Sequence, residues 1–208
     1  EMEEQESDRQ EEGQEESISY FARWTDRYKE AREYLYGTME AEPDEEAAHE
    51  IMLEEAEQGN AYAMHDMGKI YAQGIGCEAD KEMADVWYKK ALAAMQYVEQ
   101  KKKNTYLEYR IGKMYQYGLG TEENLEQAGE WFSKAAAKEH KYALYSLGML
   151  YLQGKGVEQD EETAYSLLFR SYSKGNPYAA YELGKLYETG CGTEKNQEKS
   201  ENCYRVAF

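Results

Sequence analysis

The chain has 208 residues, with 42 acidic and 24 basic side chains and a formal net charge of −18. Two prolines, abundant Ala, Glu, Lys, Tyr and Met, and no apolar run near the ~20 residues that cross a bilayer predict a helical protein with no membrane segment. Cys77, Cys191 and Cys203 form no C-x-x-C pair, which excludes a disulfide framework or zinc site and points to a reducing, cytoplasmic setting.

The charge is uneven. Residues 1–60 hold 21 acidic and 5 basic groups, whereas the rest is close to neutral. An acidic leading segment lacks the basic footprint that phosphate contacts need, so direct nucleic-acid binding is not expected. Nor does it resemble a secretory leader. Beginning at Glu1, the chain reads as a piece of a longer protein. Residues 1–17 carry nine acids and one aliphatic side chain, Met2, and are expected to be a disordered segment or linker.

An aromatic, helix-like stretch follows from Ser19 to Gly37, with Tyr20, Trp24, Tyr28 and Ala31 on one stripe. Glu42-Pro43-Asp44 reads as a helix start. From there the pattern G-x-x-Y-x-x-G-x-G recurs four times, led by Gly68, Gly112, Gly148 and Gly184 at spacings of 44, 36 and 36 residues. A fixed period in this range marks stacked copies of one unit. Each copy reads as a helix A, a glycine loop and a helix B. In the third copy helix A covers Tyr142 to Leu152, Asp160 caps helix B, and Gly175 ends it. Asp80, Asn124 and Asn196 are the matching caps, since their side chains can accept from free N–H groups at a helix start. The divisions expected are a degenerate repeat over about 19–59, then repeats over about 60–104, 105–140, 141–176 and 177–208, together one solenoid over 18–208. The eight extra residues of the first full copy, near Tyr97–Thr105, signal a longer helix B or a longer loop. The leading glycine should let helix B approach closely, and the G-x-G pair should supply positive φ in the A-to-B turn.

These residues resemble the Sel-one-like repeat, a subclass of the tetratricopeptide-like repeats. Ala143, Leu147, Gly148, Tyr151, Gly154, Gly156, Val157, Asp160 and Ala164 carry the family pattern in one copy, and Trp131, Lys134, Ala135 and Ala136 carry its later part in another. The resemblance implies an all-α, right-handed superhelix whose A helices line the concave side. The acidic lead together with the repeat block is also similar to the C-terminal region of relaxases from mobile elements of Gram-positive bacteria. That second resemblance implies an accessory, mobilisation-related role, with DNA nicking outside this chain.

Helical geometry sorts helix A into two faces. Ala143, Leu147, Leu150 and Tyr151, with their fourth-copy equivalents Ala179, Leu183, Leu186 and Tyr187, form the expected core arc. On the other side lie Tyr62, His65 and Lys69; Tyr106, Tyr109 and Lys113; Tyr142, Tyr145 and Met149; and Tyr178, Tyr181 and Lys185. Stacking should align two tyrosine rows beside a lysine row in the concave groove. Tyrosine gives stiff contact area with a polar tip. A protein or peptide partner carrying acidic groups is therefore expected. His49, His65 and His140 are scattered singles, and no nucleophile motif or metal-ligand spacing occurs, so no catalytic residue, metal or cofactor is expected. Self-association through uncapped end repeats is a further expectation.

Overall fold

The computed structural model describes residues 19–38 and 42–207. Residues 1–17, read above as a disordered lead, lie outside it. Ten helices occur among the described residues: α1 (Asp26–Tyr36), α2 (Glu45–Glu57), α3 (Ala61–Gln73), α4 (Lys81–Lys101), α5 (Thr105–Tyr117), α6 (Leu125–Ala137), α7 (Lys141–Gln153), α8 (Glu161–Ser173), α9 (Pro177–Thr189) and α10 (Gln197–Ala207). Each packs on its neighbours in sequence, α1 on α2, α2 on α3 and so on to α10. The result is five stacked A–B hairpins, an all-α repeat superhelix.

The helix starts are written in short polar side chains. Asp44, Asp80, Asn124 and Asp160 each accept from the backbone N–H three residues on, as does Asn196 from Lys199. Such a cap contributes ~1 kcal/mol. The A helices have a second set that the repeat pattern did not single out. Asn60, Asn104 and Asn176 cap α3, α5 and α9, and His140 takes the same place before α7 through Nδ1.

The glycines explain the spacing. A Cβ on Gly68 would lie 2.5 Å from the Tyr88 ring, and on Gly112 2.6 Å from the Phe132 ring. Leu168 and Tyr204 occupy the same place over Gly148 and Gly184. In every copy the partner lies twenty residues on, so one close contact sets the A–B separation. The final loop glycine instead sets the contact with the preceding hairpin. With positive φ, Gly76, Gly156 and Gly192 sit against the carbonyls of Glu45, Leu125 and Glu161, the first residues of α2, α6 and α8. Gly120 meets Tyr88 and Lys89 instead, two turns inside α4. The eight extra residues have thus become helix, since α4 has 21 residues against 13 in α6 and α8. At ~1.5 Å per residue they step the stack by about 12 Å along α4.

The core arc falls where helical geometry puts it. Ala143, Leu147 and Leu150 are buried, as are Ala179, Leu183, Leu186 and Tyr187, while Tyr151 is half-buried. One expectation changes. Residues 19–24 are not helical: Phe21 forms a bridge to Asn60, Thr25 caps α1, and Trp24 stands exposed ahead of it. The Phe21 N–H donates to the Gly59 carbonyl and the Ala61 N–H to the Phe21 carbonyl, so backbone pairing with the α2–α3 turn outcompetes the helical spacing of Tyr20 and Trp24.

Candidate functional site

The tyrosine rows meet across the hairpins as a ladder of rings. Tyr28 contacts Tyr62 with centroids 6.2 Å apart, Tyr62 contacts Tyr106 at 5.5 Å, Tyr109 contacts Tyr142 at 6.0 Å, and Tyr145 contacts Tyr178 at 6.1 Å. His140 inserts between Tyr106, Tyr109 and Tyr142. The rungs differ in depth. Tyr62 is 2% exposed and belongs to the core, so it offers no groove surface; Trp24, Tyr28 and Tyr106 roof it. Tyr106, Tyr109 and Tyr145 are half-buried, whereas Tyr142, Tyr178 and Tyr181 are exposed. At the C-terminal end Tyr145, Pro177, Tyr178, Tyr181, Glu182 and Ala207 enclose an open groove of about 560 Å³.

The expected lysine row is present but differently engaged from one end to the other. Lys185 pairs with Glu182 at 2.8 Å. Lys113 donates to Gln116 and Tyr117 of its own helix. Lys69 donates to Tyr36 Oη of the preceding hairpin at 3.0 Å.

A buried polar cluster stands behind this end. Asp66 accepts from Tyr28 Oη at 2.7 Å, Arg32 Nη1 at 3.1 Å and Arg110 Nη2 at 3.2 Å. Burial works to raise the Asp66 pKa. The contacts with His65, Arg110 and Tyr28 outweigh it and hold the carboxyl well below the usual range. His65, the one non-tyrosine of its row, has Nδ1 3.2 Å from Asp66 Oδ1 and 2.5 Å from Arg110 Nη2. Burial, and then the Arg110 charge, push its pKa down to about 4, so the ring is neutral near pH 7. Burial also raises Tyr62 and Tyr109 to about 12, which keeps these rungs as neutral phenols.

Asp66 and Arg110 occupy one helical position, two before the leading glycine, between the core arc and the tyrosine rows. Sequence reasoning passed over that position because Ser146 and Glu182 fill it in the later copies. It also passed over Arg32 and Tyr36. The available signal was Gly37: Ala31 precedes it as Gly68 precedes Gly74, which places Arg32 in the row of Lys69, Lys113 and Lys185. Among the described residues no group of three His, Cys, Asp or Glu could hold a metal ion.

This is a stacked helical-hairpin solenoid whose A helices carry a ladder of aromatic rings from one hairpin to the next. The Sel1 repeat family matches residues 28–60, 61–94, 106–140, 141–176 and 177–207, and the chain belongs to that family. A Sel1 repeat protein from Oxalobacter formigenes is similar, with 26% identity and a TM-score of 0.68 over 87% of this chain and 68% of its own. The protective antigen c5321 of uropathogenic Escherichia coli, which displays the same repeat fold, is 28% identical with a TM-score of 0.58, over 87% of this chain and 37% of its own. The immunity protein Pa5087 of Pseudomonas aeruginosa shares the fold at 20% identity and a TM-score of 0.52, over 88% of this chain and 80% of its own. No curated protein matches the chain. These matches do not support the likeness to relaxases. Sel1 repeat proteins generally serve as non-catalytic scaffolds for protein–protein interaction. No helix among the described residues is long and apolar enough to cross a membrane.

Proposed function

We propose that this chain is a non-catalytic scaffold that holds a peptide or protein segment, one bearing acidic groups, along the concave A-helix face. The observation that carries this reading is the open groove walled by Tyr145, Tyr178 and Tyr181. A concave site with apolar walls and a few polar tips is the usual form of a binding pocket. Tyrosine covers large area while fixing few rotors, so it binds at low entropic cost. Tyr181 and Tyr178 are 42% and 64% exposed, which is costly for aromatic surface unless a partner covers it. Tyr142, Tyr109 and Tyr106 extend the same face past Lys113 toward the N-terminal end, where Lys69 and the neutral His65 lie. Tyr62 supports that face from beneath.

The reading is tested by selecting binders from a random-peptide display library on the native chain. Binding should depend on Tyr145 and Tyr181. If selected peptides bind a Tyr145→Ala/Tyr181→Ala variant of unchanged helicity equally well, this face is not the site.

A further inference from the structure

Charge along the concave face is not distributed as the lysine row suggests. At the C-terminal end Glu182 neutralises Lys185. At the N-terminal end two cations, Arg32 and Arg110, share a single buried carboxylate, Asp66, and a third, Lys69, meets Tyr36 beside Arg32's own ring contact. Asp66 is spent on both guanidinium groups, with its side chain 4% exposed. Lys69 makes no ion pair among the described residues; its hydrogen bond goes to a neutral phenol, Tyr36 Oη. The protein as a whole carries −18, so this is a local excess of positive charge against the overall sign.

The geometry turns the excess outward. Arg32 gives both of its hydrogen bonds from Nη1, to Tyr28 Oη at 3.3 Å and to Asp66 at 3.1 Å. Its Nη2 edge has no hydrogen-bond partner among the described residues. Its side chain is 27% exposed, so that edge has a route to solvent. The Tyr36 ring, half exposed, has Arg32 Cζ and Lys69 Nζ each 4.9 Å from its centroid and so is shared by both cations. The Trp24 ring flanks Arg32 at 5.2 Å. A guanidinium anchored on one edge by a buried carboxylate presents the other edge already oriented. That is the condition under which a planar, bidentate acceptor gains most from it.

We infer that Arg32 and Lys69, held by Tyr36 and backed by Asp66 and Arg110, form a carboxylate-binding subsite at the N-terminal end of the groove. The ligand class is a peptide carboxylate, whether an acidic side chain or a chain terminus. This rests on the proposed groove and locates the acidic preference at Arg32 and Lys69, away from Lys113 and Lys185.

The test is a nuclear magnetic resonance titration of the isotopically labelled native chain at constant ionic strength. The probes are N-acetyl-glutamate amide, N-acetyl-alanine with a free carboxylate, and N-acetyl-glutamine amide. The Arg32 Nε–Hε signal should move saturably with at least one carboxylate probe and stay fixed with the glutamine probe. The tighter of the two carboxylates identifies the source. Lys69→Gln, whose side chain lies outside the buried cluster, should weaken binding about tenfold, the scale of one charge-assisted hydrogen bond. Read from backbone amide shifts, since these variants lack the guanidinium signal, Arg32→Lys should retain part of the affinity and Arg32→Gln none. A signal unmoved by either carboxylate, moved equally by the glutamine probe, or indifferent to Lys69→Gln would overturn the assignment. Such small probes do not engage Tyr145 and Tyr181, three and four hairpins on from Arg32, so this failure is distinguishable from failure of the groove itself.

Discussion

Phe132 lies flat in the space that a side chain on Gly112 would need: a Cβ there would stand 2.6 Å from ring atoms Cδ1 and Cε1. Phe132 is fully buried and has nowhere to retreat. Gly112→Ala should therefore cost ~1–3 kcal/mol, as overpacking does. Gly148→Ala faces Leu168 at 3.0 Å, a side chain with more freedom, and should cost less. Gly129→Ala meets only ordinary contact with Val157 at 3.4 Å and should stabilise by ~0.5–1 kcal/mol, the helix-interior difference. Denaturant unfolding of the three variants checks the order.

The loop glycines should be less forgiving still. Gly156 has φ of 71°, and a Cβ would lie 2.3 Å from the Leu125 carbonyl oxygen. Gly156→Ala adds backbone strain to a clash with backbone, which no rotamer relieves. It should uncouple hairpins as well as destabilise them. Hydrogen exchange should show residues 141–207 losing protection more than residues 61–101.

The Asp66 cluster should behave as a unit. Asp66→Ala leaves Arg110 buried without its carboxylate and should cost ~3–5 kcal/mol. Lys185→Gln removes a half-exposed pair with Glu182 and should cost less than ~1 kcal/mol. Equal costs in chemical denaturation would contradict the ranking.

Acid should weaken the fold through histidine before it touches Asp66. His65 is held near 4 against an ordinary 6.5, and His140 is also lowered, first by burial and then by Lys141. The unfolded chain therefore binds more protons between these values. For His65 the contribution is fully present above pH ~6.5 and is lost as pH falls toward 4, with a slope of up to about 1.4 kcal/mol per pH unit, and His140 adds a loss of the same sign. His140→Asn keeps a capping side chain and removes one titration, so its stability should depend less on pH across that window.

Most of the fold is legible from the repeat alone, because one spacing dictates three contacts: the cap, the glycine under helix B, and the loop glycine against the preceding hairpin. Gly148, Asp160 and Gly156 announce these by residue type. The site is legible only in outline. Tyr62 and Tyr145 are indistinguishable in sequence, since both follow the same helical register. Their depths differ because Trp24, Tyr28 and Tyr106 roof the first, while Tyr145 borders an open groove. Arg32 and Asp66 stayed hidden because they meet across 34 residues, through a hairpin whose signature has decayed.

The proposed scaffold role requires the hollow walled by Tyr145, Tyr178 and Tyr181 to grip another polypeptide. The most direct measurement is fluorescence polarisation of a display-selected peptide against the native chain and the Tyr145→Ala/Tyr181→Ala variant, with helicity matched by circular dichroism. Two interface hot spots of ~2 kcal/mol or more together predict a loss of affinity well beyond thirtyfold. An unchanged dissociation constant would show that Tyr145 and Tyr181 do not form the binding site.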